Sequence, residues 1–397
     1  VHRASRRTGT EDGRTSSRAL TAVWRDSSDR LAVESIVVAL GSPRFTLDHN
    51  KRPAVNLWTP RARVEPERWE DRIQIFLDHI AFLVPAAEER ELFLDWLAHA
   101  EQHPEVLPHY GFLFVTKAFG TGRNWVSSVL DRVWPGEVAS SLDLHGMLAS
   151  GFNGAIGGGI RCAVADEVRI GGSVSAAYEL EQRWRQMLTA EYHLINPKYG
   201  HQVREKNCVR WLLLSNHEDA LRLSREDRRV AVVANPAQPR AADYYVTLYN
   251  ALSDAAFVDS VAWFLHARAI HHFKPGDRPP LNAAKLAVVE ATMSELDKEL
   301  TDLLEEWKAP VAASADLMKL LGIDGKDQSR KKHLSLALRR AGWHSLFGSR
   351  KGRVARGERA YVWARGEYVI ECPEAAAAAV REYRGAPWFG ELSHEPF

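Results

Sequence analysis

Apolar positions along this chain follow two periods, and the change from one to the other divides it. Residues 67–84 set Trp69, Ile73, Phe76, Ile80 and Phe82 near one face at helical spacing, and 88–100 repeat this with Leu92, Phe93, Trp96 and Leu97. Upstream, residues 31–40, with the β-branched run Ile36-Val37-Val38, and residues 53–60, closed by Pro60, predict short strands. From residue 111 strands and helices alternate. Gly111-Phe-Leu-Phe-Val-Thr116 is an unbroken apolar run of strand length, as burial on both faces requires. A glycine loop and a helix follow it. Residues 161–165, 209–214 and 229–233 are three further runs, and 173–192 predicts a long helix between two of them. The expected fold class is α/β, with a mainly parallel sheet flanked by helices.

Beyond Pro239 the pattern is helical at 241–252, 255–270 and 282–307, and Lys308-Ala-Pro310 reads as a hinge. Residues 314–321, with Ser314 as N-cap, and 328–341 predict two helices. Residues 353–355 and 360–364 predict strands joined by a turn at 356–359, and two helices followed by a β-hairpin is the order of a winged helix. Residues 375–379 add a short alanine-rich helix. The expected organisation is an arm and N-terminal strand region at 1–52, a helical N-terminal subdomain at 53–108 and an α/β core at 109–240. A helical subdomain at 241–310 and a winged-helix-like basic domain at 311–397 complete it.

Charge sharpens this at the tail. The 397 residues carry 52 Lys+Arg against 51 Asp+Glu, so basic surface has to be local. Residues 321–365 hold twelve Lys/Arg against three acids, a net +9 that leaves −8 elsewhere. Set on a second helix and a wing, that charge is a footprint for phosphates, with Lys331, Lys332, Arg339 and Arg340 as the nucleic-acid-binding candidates. Trp343, Phe347, Tyr361 and Trp363 interleave, and at least two of them belong to the small domain's core. The first thirty residues carry seven arginines and no apolar signal core, and read as an arm. The start on Val1 fits a GTG codon or a piece of a longer chain. With 45% apolar and 26% charged residues, collagen-like, coiled-coil and wholly disordered readings fall away. No apolar run is long enough to predict a membrane span. Cys162, Cys208 and Cys372 lie too far apart for a disulfide framework or a zinc site, which fits a reducing cytoplasm. His266, His271 and His272 lack partners at ligand spacing and read as pairing with a helix C-terminus.

Four constellations carry chemistry. Lys117-Ala-Phe-Gly-Thr-Gly-Arg-Asn124 lies between an apolar strand and a helix, the context of a phosphate-binding loop. Gly120, Thr121, Gly122, Arg123 and Asn124 are its nucleotide-binding candidates. Arg123 stands where such loops carry lysine, and Asn124 where they carry a hydroxyl, although its carbonyl oxygen still suits magnesium. The strand at 161–165 ends in Asp166-Glu167, an acid to hold the Mg²⁺ shell and an acid to polarise water. Ser215-Asn216 ends the next strand, where Asn216 can bond both lytic water and a γ-phosphate oxygen. Asp227-Arg228-Arg229 opens the strand after it, and paired arginines there can reach phosphate in cis or across a subunit boundary.

In this order, within about a hundred residues, the four constellations resemble those of superfamily 3 helicase ATPases, more narrowly the primase-associated helicase domain of phages and prophages, similar to poxvirus-type primase-helicases. Supporting phrases are Asn56-Leu-Trp58, Trp96-Leu-Ala98, Phe152-Asn153 and Asn196-Pro-Lys-Tyr-Gly200. The resemblance spans about residues 53–250. It implies a P-loop AAA+-like core, ATP and Mg²⁺ as cofactors, a homo-oligomeric (hexameric) ring, DNA as partner and translocation driven by ATP. It assigns Asp166 to the metal, Glu167 to water activation, Asn216 to γ-phosphate sensing and Arg228 or Arg229 to the arginine finger. It also implies that the hairpin expected at 194–204 carries Lys198 and His201 to DNA, with Tyr199 able to stack on a base. No paired Asp-x-Asp carboxylates of a primase centre occur, so priming activity is expected either on another chain, a primase or polymerase partner, or on a removed segment, in a bacterial host cytoplasm. The alternative is a DNA-binding replication module whose nucleotide site hydrolyses weakly or not at all, as Lys117, Arg123 and Asn124 suggest.

Overall fold

A computed structural model describes residues 5–9, 15–30, 32–169, 174–348, 350–355, 357–368 and 372–392, with side chains from residue 20 onward except 174–178. Five strands form the central sheet: β1 (Gly111–Thr116), β2 (Val138–Leu142), β3 (Cys162–Ala165), β4 (Arg210–Ser215) and β5 (Val230–Asn235). All pair in parallel, in the order β5-β1-β4-β3-β2. β1, β3 and β4 are buried at every position, which is why apolar residues run through them, with Arg210 at the head of β4 the buried exception. β2 is a fifth strand beyond the four predicted. It is an edge strand of sequence Val-Ala-Ser-Ser-Leu with Ser140 and Ser141 exposed, so no apolar run announces it.

Side-chain alternation divides the core between the two faces of the sheet. Phe112, Phe114, Leu212 and Leu214 face the helices Trp69–Leu83, Ala87–Gln102, Arg123–Val133 and Ala255–Ala267. Leu113, Val115, Trp211 and Leu213 face Leu144–Ser150, Val174–Thr189 and Ala283–Ala291. The amino end of the sheet is closed by buried polar contacts. Arg210 donates to the carbonyls of His103 (2.8 Å) and Val106 (3.0 Å) and to His99 Nδ1 (3.1 Å). Arg161 pairs with Glu137 at 2.6 Å and Glu101 at 3.2 Å. His271 and His272 are held by their backbone N–H groups, both on Asp95 Oδ2, rather than by a helix terminus.

The C-terminal part has a core of its own, including Leu300, Trp307, Leu338, Trp343 and Trp363. The helix expected over 282–307 is broken in two, Ala283–Ala291 and Glu295–Glu306. Ser294 and Asp297 form a capping box that starts the second piece. Trp307 at the expected hinge is buried and donates its Nε1–H to the Val311 carbonyl at 2.9 Å, so this link runs inside the packed core. The helices Ser314–Leu320 and Gln328–Arg340 follow. Ser314 is the first helical residue, with Ala313 in the cap position, and Asp327 caps the second helix. Val311–Ala313, Val362–Arg365 and Trp343–Ser345 make a three-stranded antiparallel sheet. Gly352–Ala355 pairs with Glu358–Ala360 as the wing. The stretch expected as one strand over 360–364 is therefore split between wing and sheet. Arg356, in the expected turn, lies outside the described residues. At the other end, Ser5–Gly9 pairs with Thr15–Ala19 ahead of the helix Leu20–Asp26, while residues 1–4 and 10–14 of the expected arm lie outside the described residues. Among the described residues no helix is long and apolar enough to cross a membrane.

Candidate nucleotide site

In an open parallel sheet, ligands settle beyond the carboxyl ends of the strands, where neighbouring strands lead to opposite faces. Here β1 lies between β5 and β4, and the loop leaving it runs to the helix Arg123–Val133. Gly120 and Gly122 both adopt left-handed backbone, with φ of +76° and +84°. They differ in surroundings. A Cβ on Gly122 would sit 2.9 Å from His79 Cε1 and 3.1 Å from Tyr245 Cε1, whereas the nearest atom at Gly120 is 3.9 Å away. Gly122→Ala is therefore expected to cost about 1–3 kcal/mol of stability and to weaken nucleotide binding, with Gly120→Ala the milder change. Urea denaturation of the two variants tests this. Equal midpoints would show that the wall behind Gly122 yields. Thr121 is buried at the edge of the cleft.

Arg123 folds back across the strand ends. It donates from Nη2 to Asn216 Oδ1 at 2.7 Å and from Nη1 to the Ser215 carbonyl. The phosphate loop and the expected sensor asparagine are thus in direct contact. Thr116 Oγ1 adds a long bond to Asn216 Oδ1, at 3.4 Å. Asn124 donates from Nδ2 to Asp166 Oδ2 at 3.2 Å, so its carbonyl oxygen would have to turn to meet a metal. Burial pushes the Asp166 carboxyl above its ordinary range; the Arg123 charge pulls it down and the Glu167 charge adds to the rise. A half-buried carboxylate and an exposed carboxamide beside open phosphate space suit Mg²⁺, which keeps waters and takes few protein ligands. Glu167 is exposed and sits at φ +50°, a strained backbone for a non-glycine residue. The chain after it is fixed by the Val168 N–H on the Leu214 carbonyl (2.9 Å) and by Ser215 Oγ–H on the Val168 carbonyl (2.8 Å).

The cleft over this loop measures about 690 Å³ and includes Phe119 of the loop motif, together with Ser141, Asp143, Tyr245 and Tyr249, none of which the motifs pointed to. His79 was equally unannounced. Fully buried behind the loop, it donates from Nε2 to the Gly122 carbonyl at 3.1 Å and accepts the Tyr244 hydroxyl on Nδ1 at 2.9 Å. Its one available signal is a histidine at a core-facing position, three residues after Phe76 and one before Ile80.

The other candidates lie elsewhere. Arg228 and Arg229 precede Val230, which pairs with Gly111 at the amino end of β1, whereas Asn235 pairs with Thr116 at the loop end. A strand's length, about 17 Å over five residues, separates these arginines from their own chain's site, which excludes the route in cis. The expected hairpin is present, Tyr192–Ile195 against Val203–Lys206. Asn153 pins it to the core, donating to the Leu194 carbonyl and accepting the Asn196 N–H. Lys198 and His201 are exposed at its tip, and Tyr199 is 95% exposed. On the basic helix, Lys332 and Arg339 are exposed, while Lys331 donates to the Gly325 carbonyl. Arg340 turns inward to Asp297 at 3.1 Å, away from the outer face expected of it.

The family described as a family of unknown function, DUF5906, matches residues 114–229, from β1 to the arginine pair. No curated protein matches. Among solved structures, the apo C-terminal region (305–718) of NrS-1 is 18% identical over 89% of this chain and 92% of that one, with a TM-score of 0.56. A second apo form of the same region gives 17% identity over the same shares, with a TM-score of 0.55. The chain is thus similar in fold, almost end to end, to the C-terminal region of NrS-1.

Proposed function

We propose that this chain is an ATP-dependent DNA helicase or translocase of phage or prophage replication. The observation that carries the reading is the meeting of Arg123, Asn124, Asp166 and Asn216 within hydrogen-bonding distance across the ends of three strands. The loop Gly120–Asn124 and the first turn of the helix behind it cradle the phosphates of ATP. Mg²⁺, when bound, neutralises phosphate charge. Asp166 holds its water shell, Glu167 takes the proton of the attacking water, and Asn216 bonds the terminal phosphate. Arg123 leaves the Ser215 carbonyl to meet phosphate, which couples nucleotide arrival to the sensor strand. Arg228 or Arg229 serves the neighbouring subunit's site, so the working unit is a homo-oligomeric ring, a hexamer. Lys198, Tyr199 and His201 grip a DNA strand, with the wing and the basic helix as a second contact. A separate primase or polymerase in the bacterial cytoplasm completes the reaction.

The test is ATP hydrolysis with Mg²⁺, measured with and without single-stranded DNA. Turnover that rises with DNA supports the reading. Absence of turnover with tight ATP binding and intact DNA affinity would replace it by a DNA-binding replication module with a degenerate nucleotide site. The bonds that already occupy Arg123 favour this second reading.

A further inference from the structure

The nucleotide cleft has two unlike walls. Strand order puts Asp166 and Glu167, after β3, and Ser141 and Asp143, at the end of β2, on one side of the β1 loop. The helix Ala242–Ala251 follows β5, on the other side of β1, and turns Tyr245 and Tyr249 into the same cleft. These two residues are one helical turn apart and share a face. Tyr245 is fixed: its ring lies against Gly122 and 5.3 Å from that of Tyr244, and its hydroxyl accepts the Arg240 N–H at 3.0 Å. Tyr249 and Phe119 are 53% and 72% exposed, large aromatic surfaces bordering a phosphate loop.

We infer that the base of a nucleoside triphosphate stacks on Tyr249 and Phe119, and that the site therefore takes nucleoside triphosphates with little discrimination among bases. This rests on the nucleotide reading above and extends it to the substrate class. With the metal end of the triphosphate drawn to Asp166 and the phosphates over the loop, the nucleoside points to the opposite wall. Stacking on an aromatic ring is tolerant, because every base offers a π-face. Discrimination needs groups that read a base edge. Among the described residues of the cleft, Asn124, Asn216, Ser141 and the carboxylates stand on the loop, the sensor strand or the acidic wall. The Tyr245 hydroxyl accepts the Arg240 N–H, and the proton it still has to donate meets an acceptor on every base. The Tyr249 hydroxyl both donates and accepts, so it suits any base edge.

Calorimetric titration of the full chain with the Mg²⁺ complexes of ATP, GTP, CTP and inorganic tripolyphosphate tests this. The three nucleotides are expected to bind with Kd values within about tenfold of one another, and tripolyphosphate more weakly than ATP by about 5- to 150-fold, the range that one stacked base supplies. Tyr249→Ala should weaken ATP binding by a similar factor and leave tripolyphosphate unchanged, with Tyr249→Phe retaining ATP affinity. Tyr249 is half exposed, so these variants are expected to keep the fold, with circular dichroism as the check. A preference for ATP over GTP and CTP of more than about 100-fold would overturn the inference. So would Tyr249→Ala and Phe119→Ala variants that bind ATP like the parent, in either case with the nucleotide reading left standing. Failure of both ATP and tripolyphosphate to bind would overturn the nucleotide reading itself.

Discussion

Glu167→Gln is expected to lower DNA-stimulated ATP turnover by about 10²–10⁴-fold while ATP still binds, because glutamine keeps the size of the side chain and loses its capacity to take a proton. The backbone sharpens the test. Glu167 holds φ at +50°, and the bonds on either side of Val168 keep it there, so the strain belongs to the position and not to the carboxylate. Glu167→Gly relieves that strain. It should match or exceed the parent in stability, by up to about 1 kcal/mol, and lose turnover as the glutamine variant does. A folded, more stable and inactive glycine variant separates chemistry from architecture. Equal turnover in the parent and both variants would remove Glu167 from the reaction.

Much of this site was legible in the chain because it lies at the ends of strands buried on both faces. Such strands must be apolar throughout, so β1, β3 and β4 stand out, and whatever polar residues end them stand out too: Asp166-Glu167 and Ser215-Asn216. The edge strand β2 has no fully buried position and two exposed serines, so Ser141 and Asp143 escaped notice. His79, Tyr245 and Tyr249 sit in amphipathic helices, where a ring at a core-facing or half-exposed position looks like packing. Only the fold brings those helices against the glycine loop. Arg210 is the opposite case. An arginine inside an apolar strand was readable as an anomaly, and the structure accounts for it through the carbonyls at the amino end of the sheet. The break in the helix expected over 282–307 was also written in the sequence, as serine followed three residues later by aspartate, but a long apolar period masks a capping signal.

Acid should loosen this protein before most of its carboxylates titrate. Burial holds His79 down to about 4, with the nearby Arg240 charge acting the same way and the Gly122 carbonyl opposing. Burial holds His99 down to about 3, helped by Arg210 and His103. Both rings are neutral in the folded chain, and His99 must be, since its Nδ1 accepts from Arg210. The unfolded chain takes up protons near the ordinary histidine value, so below about 6.5 it binds more protons than the folded one and stability falls with pH. At pH 5.5 each histidine removes about 1.4 kcal/mol, together about 3 kcal/mol of a total that is usually 5–15. Asp166, Glu181 and Glu205, whose carboxyls burial shifts upward, act in the opposite sense and offset part of this loss. Urea midpoints at pH 7.5 and 5.5 give the measurement, and His79→Gln should remove about half of the difference. A midpoint unchanged between the two pH values would mean that these rings take up protons in the folded chain as readily as in the unfolded one.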